Sequence, residues 1–233
     1  MESTSHESLI LACGNNSEGQ SGIAGGEEET IRLPLPLTKT ADLQYDKVIA
    51  VCSSLRQSFA VTSDYLLLSC GENDANQLAR SGKRSTLLHI DMLSKYRIRD
   101  VAAGNGFFHA CTVDGRVISW GKNDLGQLGD GGRESREKPK LNSNFTESIL
   151  QIVCGESHCI ALTNGGNVLT FGGNRKGQLG DGQLTSSCVP RISPALRHRP
   201  IIGICAGANH CLAFTVTGAT HSLLNEVILT IVF

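Results

Sequence analysis

An excess of charge of either sign is missing from this chain: 21 Lys and Arg stand against 22 Asp and Glu, for a net charge of −1. Nothing electrostatic therefore points to nucleic acid or acidic lipid as a partner. Long apolar runs are missing too, none approaching the roughly 20 residues of a membrane-spanning helix, so no membrane association is expected. Residues 1–8 are acidic and polar and the apolar stretch Leu9 to Cys13 is short, so no secretory leader is expected. Catalytic spacings are absent: there is no Gly-x-Ser-x-Gly elbow and no Gly-x4-Gly-Lys-Ser/Thr phosphate loop. No catalytic residue and no cofactor are expected on that ground. Aromatic residues make up only 5% of the chain, and Trp120 is the sole tryptophan.

What the chain has is glycine, 26 residues, and repetition. One line is written in full at Gly121-Lys-Asn123-Asp-Leu-Gly126-Gln127-Leu128-Gly129 and again at Gly172-Gly-Asn174-Arg-Lys-Gly177-Gln178-Leu179-Gly180. Weaker copies begin at Gly14 and Gly71, and the leading glycines are 57, 50 and 51 residues apart. A period near fifty marks a repeat architecture. A second line repeats in the same phase. With Ser54, Gly104, Gly155 and Gly207 aligned, Ala60, Ala110, Ala161 and Ala213 share a column, and so do Thr62, Thr112, Thr163 and Thr215. The column three after the glycine reads Gln57, Phe107, His158, His210. In this register His109 does not belong with His158. Trp120 shares its column with Cys13, Cys70 and Phe171, which makes it a packing position.

Each unit reads as a small antiparallel sheet. Short apolar runs such as Ile152-Val-Cys precede the glycine and Ile160-Ala-Leu-Thr follows it. Then comes Asp114-Gly115 or Asn164-Gly165-Gly166, a hairpin signal because these residues tolerate positive φ. The next strand, Val117 to Trp120 or Val168 to Phe171, stops at the Gly-x-Asn line. A fourth, outer strand is expected near Leu33 to Leu37, Leu87 to Ile90, Lys138 to Leu141 and Val189 to Ile192. Four strands per unit, repeated radially, is a β-propeller.

The pattern Val-x-x-Trp-Gly-x-Asn-x-x-Gly-Gln-Leu-Gly, followed by Gly-x-x-His-x-x-Ala-Leu-Thr-x-x-Gly, resembles the repeat of the regulator of chromosome condensation (RCC1-like) family. The resemblance covers residues 9–218, closely in the third and fourth repeats and in degraded form in the first two. It implies an RCC1-like β-propeller, usually of seven blades, that serves chiefly as a protein-binding platform. The founding member of the family is a nucleotide exchange factor for the small GTPase Ran, so a small GTPase is a possible kind of partner.

Seven units need roughly 350 residues at this period, and 233 are present. The expectation is therefore an all-β, partial propeller, with repeats at about 9–65, 66–115, 116–166 and 167–218. That is about three complete four-stranded blades and two half-blades, in an open arc whose edges invite self-association. Residues 1–8 read as a disordered N-terminus and 219–233 as a divergent tail. No Val-x-x-Trp-Gly-x-Asn line follows Gly218, which reads as a truncated or alternatively spliced end. Within the tail, Val227 to Phe233 is β-prone and uncharged, a hazard for aggregation unless paired.

Nine cysteines fall mostly on expected strands. Without a leader, reduced thiols in the cytoplasm or nucleus are the default. Cys154-x3-His158-Cys159 and Cys205-x4-His210-Cys211 look like metal sites, but Cys154 aligns with Ala206 and the paired Cys-x2-Cys spacing of a zinc site is absent. The expectation is no metal. His158 and His210 share one column, which gives them one architectural task, a hydrogen bond to neighbouring backbone. Gly121, Asn123, Gly126, Gln127, Gly172, Asn174, Gly177 and Gln178 are repeat positions of the same structural kind. The run Arg133 to Lys138 reads as a solvated loop, and Phe107-Phe108 as a filled core slot.

In repeat proteins the columns build the scaffold and the departures from them carry recognition. The longest departure lies between Gly22 and Val48. Its acidic triplet Glu27, Glu28, Glu29, with Arg32 beyond it, is the expected partner-binding loop, against a plain solvated loop. The functional expectation is a non-catalytic scaffold that binds a protein through such loops. Exchange on a Ran-like GTPase is the alternative. It needs a protruding wedge, and the 33, 34 and 35 residues between the repeated lines leave no insertion for one. A truncated form without independent activity is the third reading.

Overall fold

A computed structural model of the chain describes residues 10–23, 30–36, 48–215, 220–223 and 230–231. The chain divides into two compact units, Met1–Val101 and Ala102–Phe233. Strands β1 (Leu11–Asn15) and β2 (Thr30–Pro36) form a two-stranded sheet. The second sheet is β3 (Val48–Ser53), β4 (Gln57–Thr62), β5 (Leu67–Gly71) and β6 (Leu88–His89). The third is β7 (Ile98–Ala103), β8 (Phe107–Thr112), β9 (Val117–Gly121) and β10 (Arg136–Leu141), and the unit boundary falls inside β7. The fourth is β11 (Ile149–Cys154), β12 (His158–Thr163), β13 (Val168–Gly172) and β14 (Ser187–Ile192). The fifth is β15 (Ile201–Ala206), β16 (Cys211–Thr215), β17 (Thr220–Leu223) and β18 (Thr230–Ile231). In each four-stranded sheet neighbours in sequence are neighbours in space.

All four expected outer strands are present, as β2, β6, β10 and β14. The fifth sheet goes beyond the expected half-blade. The segment read as a divergent tail supplies β17 and β18, so four sheets have four strands and one has two. The pairing of β17 with β16 runs from Cys211↔Leu223 to Phe214↔Thr220. A ladder asks only for extended backbone beside an open edge, so the missing Trp-Gly signature did not prevent it. Arg136, read as part of a solvated loop, opens β10 and donates from Nη2 to Asp130 at 2.6 Å.

The middle strands explain the run-on apolar sequence. β8 and β12 are buried at every residue, so they show no alternation of apolar and polar side chains. Their registers confirm the column alignment: Gln57, Phe107 and His158 lie opposite Gly71, Gly121 and Gly172. His109 lies opposite Ser119, in the column of Phe59 and Ile160. One core in residues 102–233 gathers Phe107, Val117, Leu128, Ile152 and Phe171, and another gathers Ile160, Val168, Leu196 and Ile204.

The glycine that opens the second repeated line is a matter of volume. A Cβ on Gly104 would lie 2.1 Å from the Phe107 ring, one on Gly155 2.1 Å from the His158 ring, and one on Gly207 2.2 Å from the His210 ring. The ring three residues on fills the space that a side chain would need. The first repeat has Ser54 in place of glycine and Gln57 in place of the ring, and the Ser54 hydroxyl donates to Gln57 Oε1 at 2.6 Å. The two substitutions are complementary.

The Gly-x-Asn line folds around its buried asparagine. Asn123 Nδ2 lies 3.1 Å from Asp130 Oδ1 and 3.2 Å from the carbonyls of Gly132 and Glu134, while its Oδ1 accepts from Leu128 N at 2.9 Å. Asn174 repeats this with Asp181 Oδ1 at 3.0 Å, Gln183 O at 3.0 Å, Thr185 O at 3.2 Å and Leu179 N at 3.0 Å. The glutamine of the line accepts from the backbone N–H two residues before it in all four copies, at 2.8 to 2.9 Å for Gln20, Gln77, Gln127 and Gln178. The second copy departs from the glycine pattern at a cost: Asn76 and Ala79 sit at φ of +57° and +53°, where the other copies have glycine.

Three substitutions test this. Asn174→Ala strands several polar groups in the interior and costs about 2–3 kcal/mol in urea unfolding. Ala79→Gly removes a left-handed alanine and adds about 0.5–1 kcal/mol. Gly155→Ser alone costs about 1–3 kcal/mol through overpacking. Combined with His158→Gln it costs less than the sum of the single changes, because the pair restores the Ser54–Gln57 arrangement.

Candidate protein-binding face

The repeat positions singled out in the sequence are scaffold. Asn123, Asn174, Gln127 and Gln178 are buried, and Gly126 and Gly177 hold φ of +80° and +74° where the line turns. Gly121 and Gly172, at φ of +99° and +96°, pass so close to the neighbouring turn that a Cβ would meet the carbonyl of Gly106 or Ser157 at 2.3 or 2.7 Å. Trp120 is fully buried and stacks on Phe108 with 5.5 Å between ring centroids. The expected partner-binding loop is split by what is described. Glu27, Glu28 and Glu29 lie outside the described residues, and Arg32 is exposed on β2.

The two histidines of one column do not share one task. His158 is buried and His210 is exposed. The His158 ring meets a thiol as well as backbone: Nε2 lies 3.0 Å from Cys211 Sγ, and the backbone of His210 is a hydrogen-bonding neighbour. Burial lowers the His158 imidazole to about 4, and it does the same to His109. Burial raises the thiols of Cys159 and Cys211 far out of the range where thiolate forms, and that of Cys70 to about 12.

Sequence reasoning missed a cationic face in residues 102–233. The turns that open β8, β12 and β16 are linked in a row: Asn105 N donates to Glu156 O at 3.2 Å, and Glu156 N to Ala208 O at 3.0 Å. Beside this row the Gly-x-Asn loops of the third and fourth repeats border a cavity of about 280 Å3. Its lining includes Lys122, Leu125, Arg175 and Lys176, with Glu156 and Asn209 from the turns. Arg175 and Lys176 are exposed, and Lys122 lies 3.5 Å from Asp124 in an ion pair open to water. The signal was in the sequence, at the variable places of the repeated line. There the first two copies carry Glu18, Glu72 and Asp74, whereas the last two carry Lys122, Arg175 and Lys176 alongside a single acid, Asp124.

In residues 1–101 a separate cavity of about 480 Å3 lies along β1, lined by Leu11, Ala12 and Cys13 with Val51 to Leu55, Phe59 and Leu87. Val51 is 64% exposed here, whereas Val101, Ile152 and Ile204 in its column are exposed by 4%, 1% and 3%. The two-stranded sheet gives Val51 no cover of the kind its counterparts have.

Four-stranded antiparallel sheets repeated in one register, two of them closed by a loop around a buried asparagine, define a β-propeller fold that is partial in this chain. Models of the regulator of chromosome condensation (RCC1) repeat match residues 114–162 and 165–214, and in a second form 98–127 and 149–178. The chain belongs to the RCC1 repeat family. Among sequences, it is 29% identical over 220 residues to the E3 ubiquitin-protein ligase HERC2 of Mus musculus, a match that takes in 91% of this chain and 4% of HERC2. Among structures, human WBSCR16 superposes with a TM-score of 0.76 at 23% identity, over 92% of this chain and 58% of that one. Prp20p of Saccharomyces cerevisiae, solved in connection with its binding to Gsp1p and histones, superposes with a TM-score of 0.75 at 22% identity, over 93% of this chain and 53% of that one. The chain thus spans a small part of HERC2 and little more than half of the two solved propellers.

If the cationic face is a surface feature and not part of the scaffold, the triple change Lys122→Glu, Arg175→Glu, Lys176→Glu moves the urea midpoint by no more than an exposed substitution does, within about 0.5 kcal/mol per site.

Proposed function

We propose that this RCC1-type module is a non-catalytic scaffold that binds an acidic segment of another protein through the face bearing Lys122, Arg175 and Lys176. The observation that carries the reading is the change of charge at equivalent loop positions. The Asn and Gln of the line recur in all four copies, while Glu18, Glu72 and Asp74 at variable places of the first two give way to Lys122, Arg175 and Lys176 in the last two, beside a cavity. Leu125 and the backbone of the row of turns supply an apolar and hydrogen-bonding floor to such a site. The charges give it orientation and a salt-sensitive on-rate. The cytoplasm or nucleus is the compartment that goes with this reading, given nine cysteines with no disulfide among them.

Exchange on a small GTPase is the second reading, supported by the likeness to Prp20p and its reported partner Gsp1p. The near-constant spacing between the repeated lines favours the scaffold, because it leaves no room for an inserted wedge. Self-association by strand pairing along β1, beside exposed Val51, is a property proposed alongside either reading.

The test uses the whole chain, a fluorescein-labelled acidic peptide and a Ran-type GTPase loaded with a fluorescent nucleotide. The expected result is peptide binding that weakens with salt and falls by about tenfold in the triple glutamate variant, with no faster release of nucleotide. Binding that is indifferent to the three charges sinks the proposed face. Accelerated release supports exchange instead.

A further inference from the structure

The sequence invites a pairing of Cys154 and Cys159 with the adjacent His158, but the structure pairs His158 with Cys211 and brings a different histidine to the two thiols. Cys154 and Cys159 stand directly opposite each other on β11 and β12, with their Sγ atoms 3.5 Å apart. From β8, His109 places Nε2 at 3.2 Å from Cys159 Sγ. The three side-chain donor atoms all lie within 4.8 Å of one another. A fourth donor is at hand: the main-chain carbonyl of Gln127 is 3.1 Å from His109 Nε2 and 3.6 Å from Cys159 Sγ.

We infer that Cys154, Cys159, His109 and the Gln127 carbonyl form a site for one zinc-class ion. Bonds of about 2.3 Å to sulfur and 2.0 Å to nitrogen and oxygen set tetrahedral donors about 3.3–3.8 Å apart. Four of the six separations, 3.5, 3.2, 3.1 and 3.6 Å, fall within a few tenths of an ångström of that range, and Cys154 Sγ lies within 4.8 Å of His109 Nε2. The imidazole is held from behind, since His109 Nδ1 lies 2.9 Å from Ser119 Oγ. Without an ion, Nε2–H donates to the Gln127 carbonyl; binding shifts the proton to Nδ1, which donates to the Ser119 hydroxyl, and frees the Nε2 lone pair for the ion, the arrangement that outer-sphere partners impose on metal-binding histidines.

The charge balance suits a buried position. A divalent ion binds with loss of one proton from each thiol, and the two protons leave to solvent. Two thiolates and one divalent cation sum to zero, so a neutral assembly replaces two neutral thiols in a dry interior. Cys154 is only half-buried and gives the route in, whereas His109 and Cys159 are fully buried. The donor set of two sulfurs, one imidazole and one carbonyl suits zinc and excludes the hard cations that require oxygen alone. The neighbouring columns lack the set: the first repeat has Ser53, Ser58 and Phe59 at the matching places.

That last comparison supplies variants compatible with the fold. Cys154→Ser, Cys159→Ser and His109→Phe each install the residue that the first repeat already carries. The reduced, chelator-treated chain is titrated with Co(II), and visible and near-ultraviolet absorption are followed. The expected result is saturation at one ion per chain, with tetrahedral ligand-field bands and a thiolate-to-cobalt charge-transfer band that zinc abolishes. Each of the three variants loses the charge-transfer band, and Cys188→Ser keeps it. Zinc raises the urea midpoint of the parent chain and leaves that of Cys159→Ser unchanged. Absence of a charge-transfer band at saturating Co(II), or its persistence in Cys159→Ser, overturns the site.

Discussion

A primary amide without access to water anchors the two best-preserved copies of the repeated loop, and their sheets depend on it. Each Gly-x-Asn loop must turn a chain leaving the third strand of a sheet back toward its fourth, and it does so by wrapping around one asparagine. Asn123 and Asn174 each engage a carboxylate, two carbonyls and a backbone N–H without any help from solvent. A buried amide with fewer partners would be a net cost. The rest of the line follows from it. The glutamine straps the tip, the glycines take the left-handed angles, and the leucine that follows, Leu128 or Leu179, enters the core. This explains why the third and fourth copies share the Gly, Asn, Gln and Leu of the line while the strands around it keep only their apolar character.

A second constraint acts between strands, where a ring and a missing side chain fill one another's space. It makes two columns vary together: glycine with Phe107, His158 or His210, and serine with Gln57. The identity of the ring matters less than its volume, which is why a phenylalanine replaces a histidine without disturbing the register. It also accounts for the different fates of His158 and His210. Both occupy the place left by a glycine, but only His158 has a buried thiol next to it.

Much of the fold was legible because it is written locally. Apolar β-branched runs, Asp-Gly and Asn-Gly turns and a fixed period gave the strands and their register, down to the separation of His109 from the His158 column. What was not legible depends on packing between sheets. No local pattern announces that His109 will meet Cys159, 50 residues away, or that His158 will meet Cys211, 53 residues away. The left-handed Tyr65, standing where Asp-Gly turns place glycine, is held by contacts such as the Arg97 guanidinium 4.2 Å above its ring. The strand pairing of residues 220–223 was not legible for a different reason: a ladder recruits backbone, and no side-chain signature marks it. The cationic face was visible as letters at variable positions, but only the structure shows that these letters border one cavity.

The row of inner turns has a direction. Each peptide N–H points to the carbonyl of the turn that follows in sequence, from Asn105 to Glu156 and from Glu156 to Ala208. The row is thus a short polar filament laid across the sheets, with donors facing one way and acceptors the other. Two such filaments brought together by like ends would set carbonyl against carbonyl or N–H against N–H. Only a head-to-tail meeting continues the bonding, so the backbone itself, before any side chain is considered, gives the row a polarity that a further unit joining it must match.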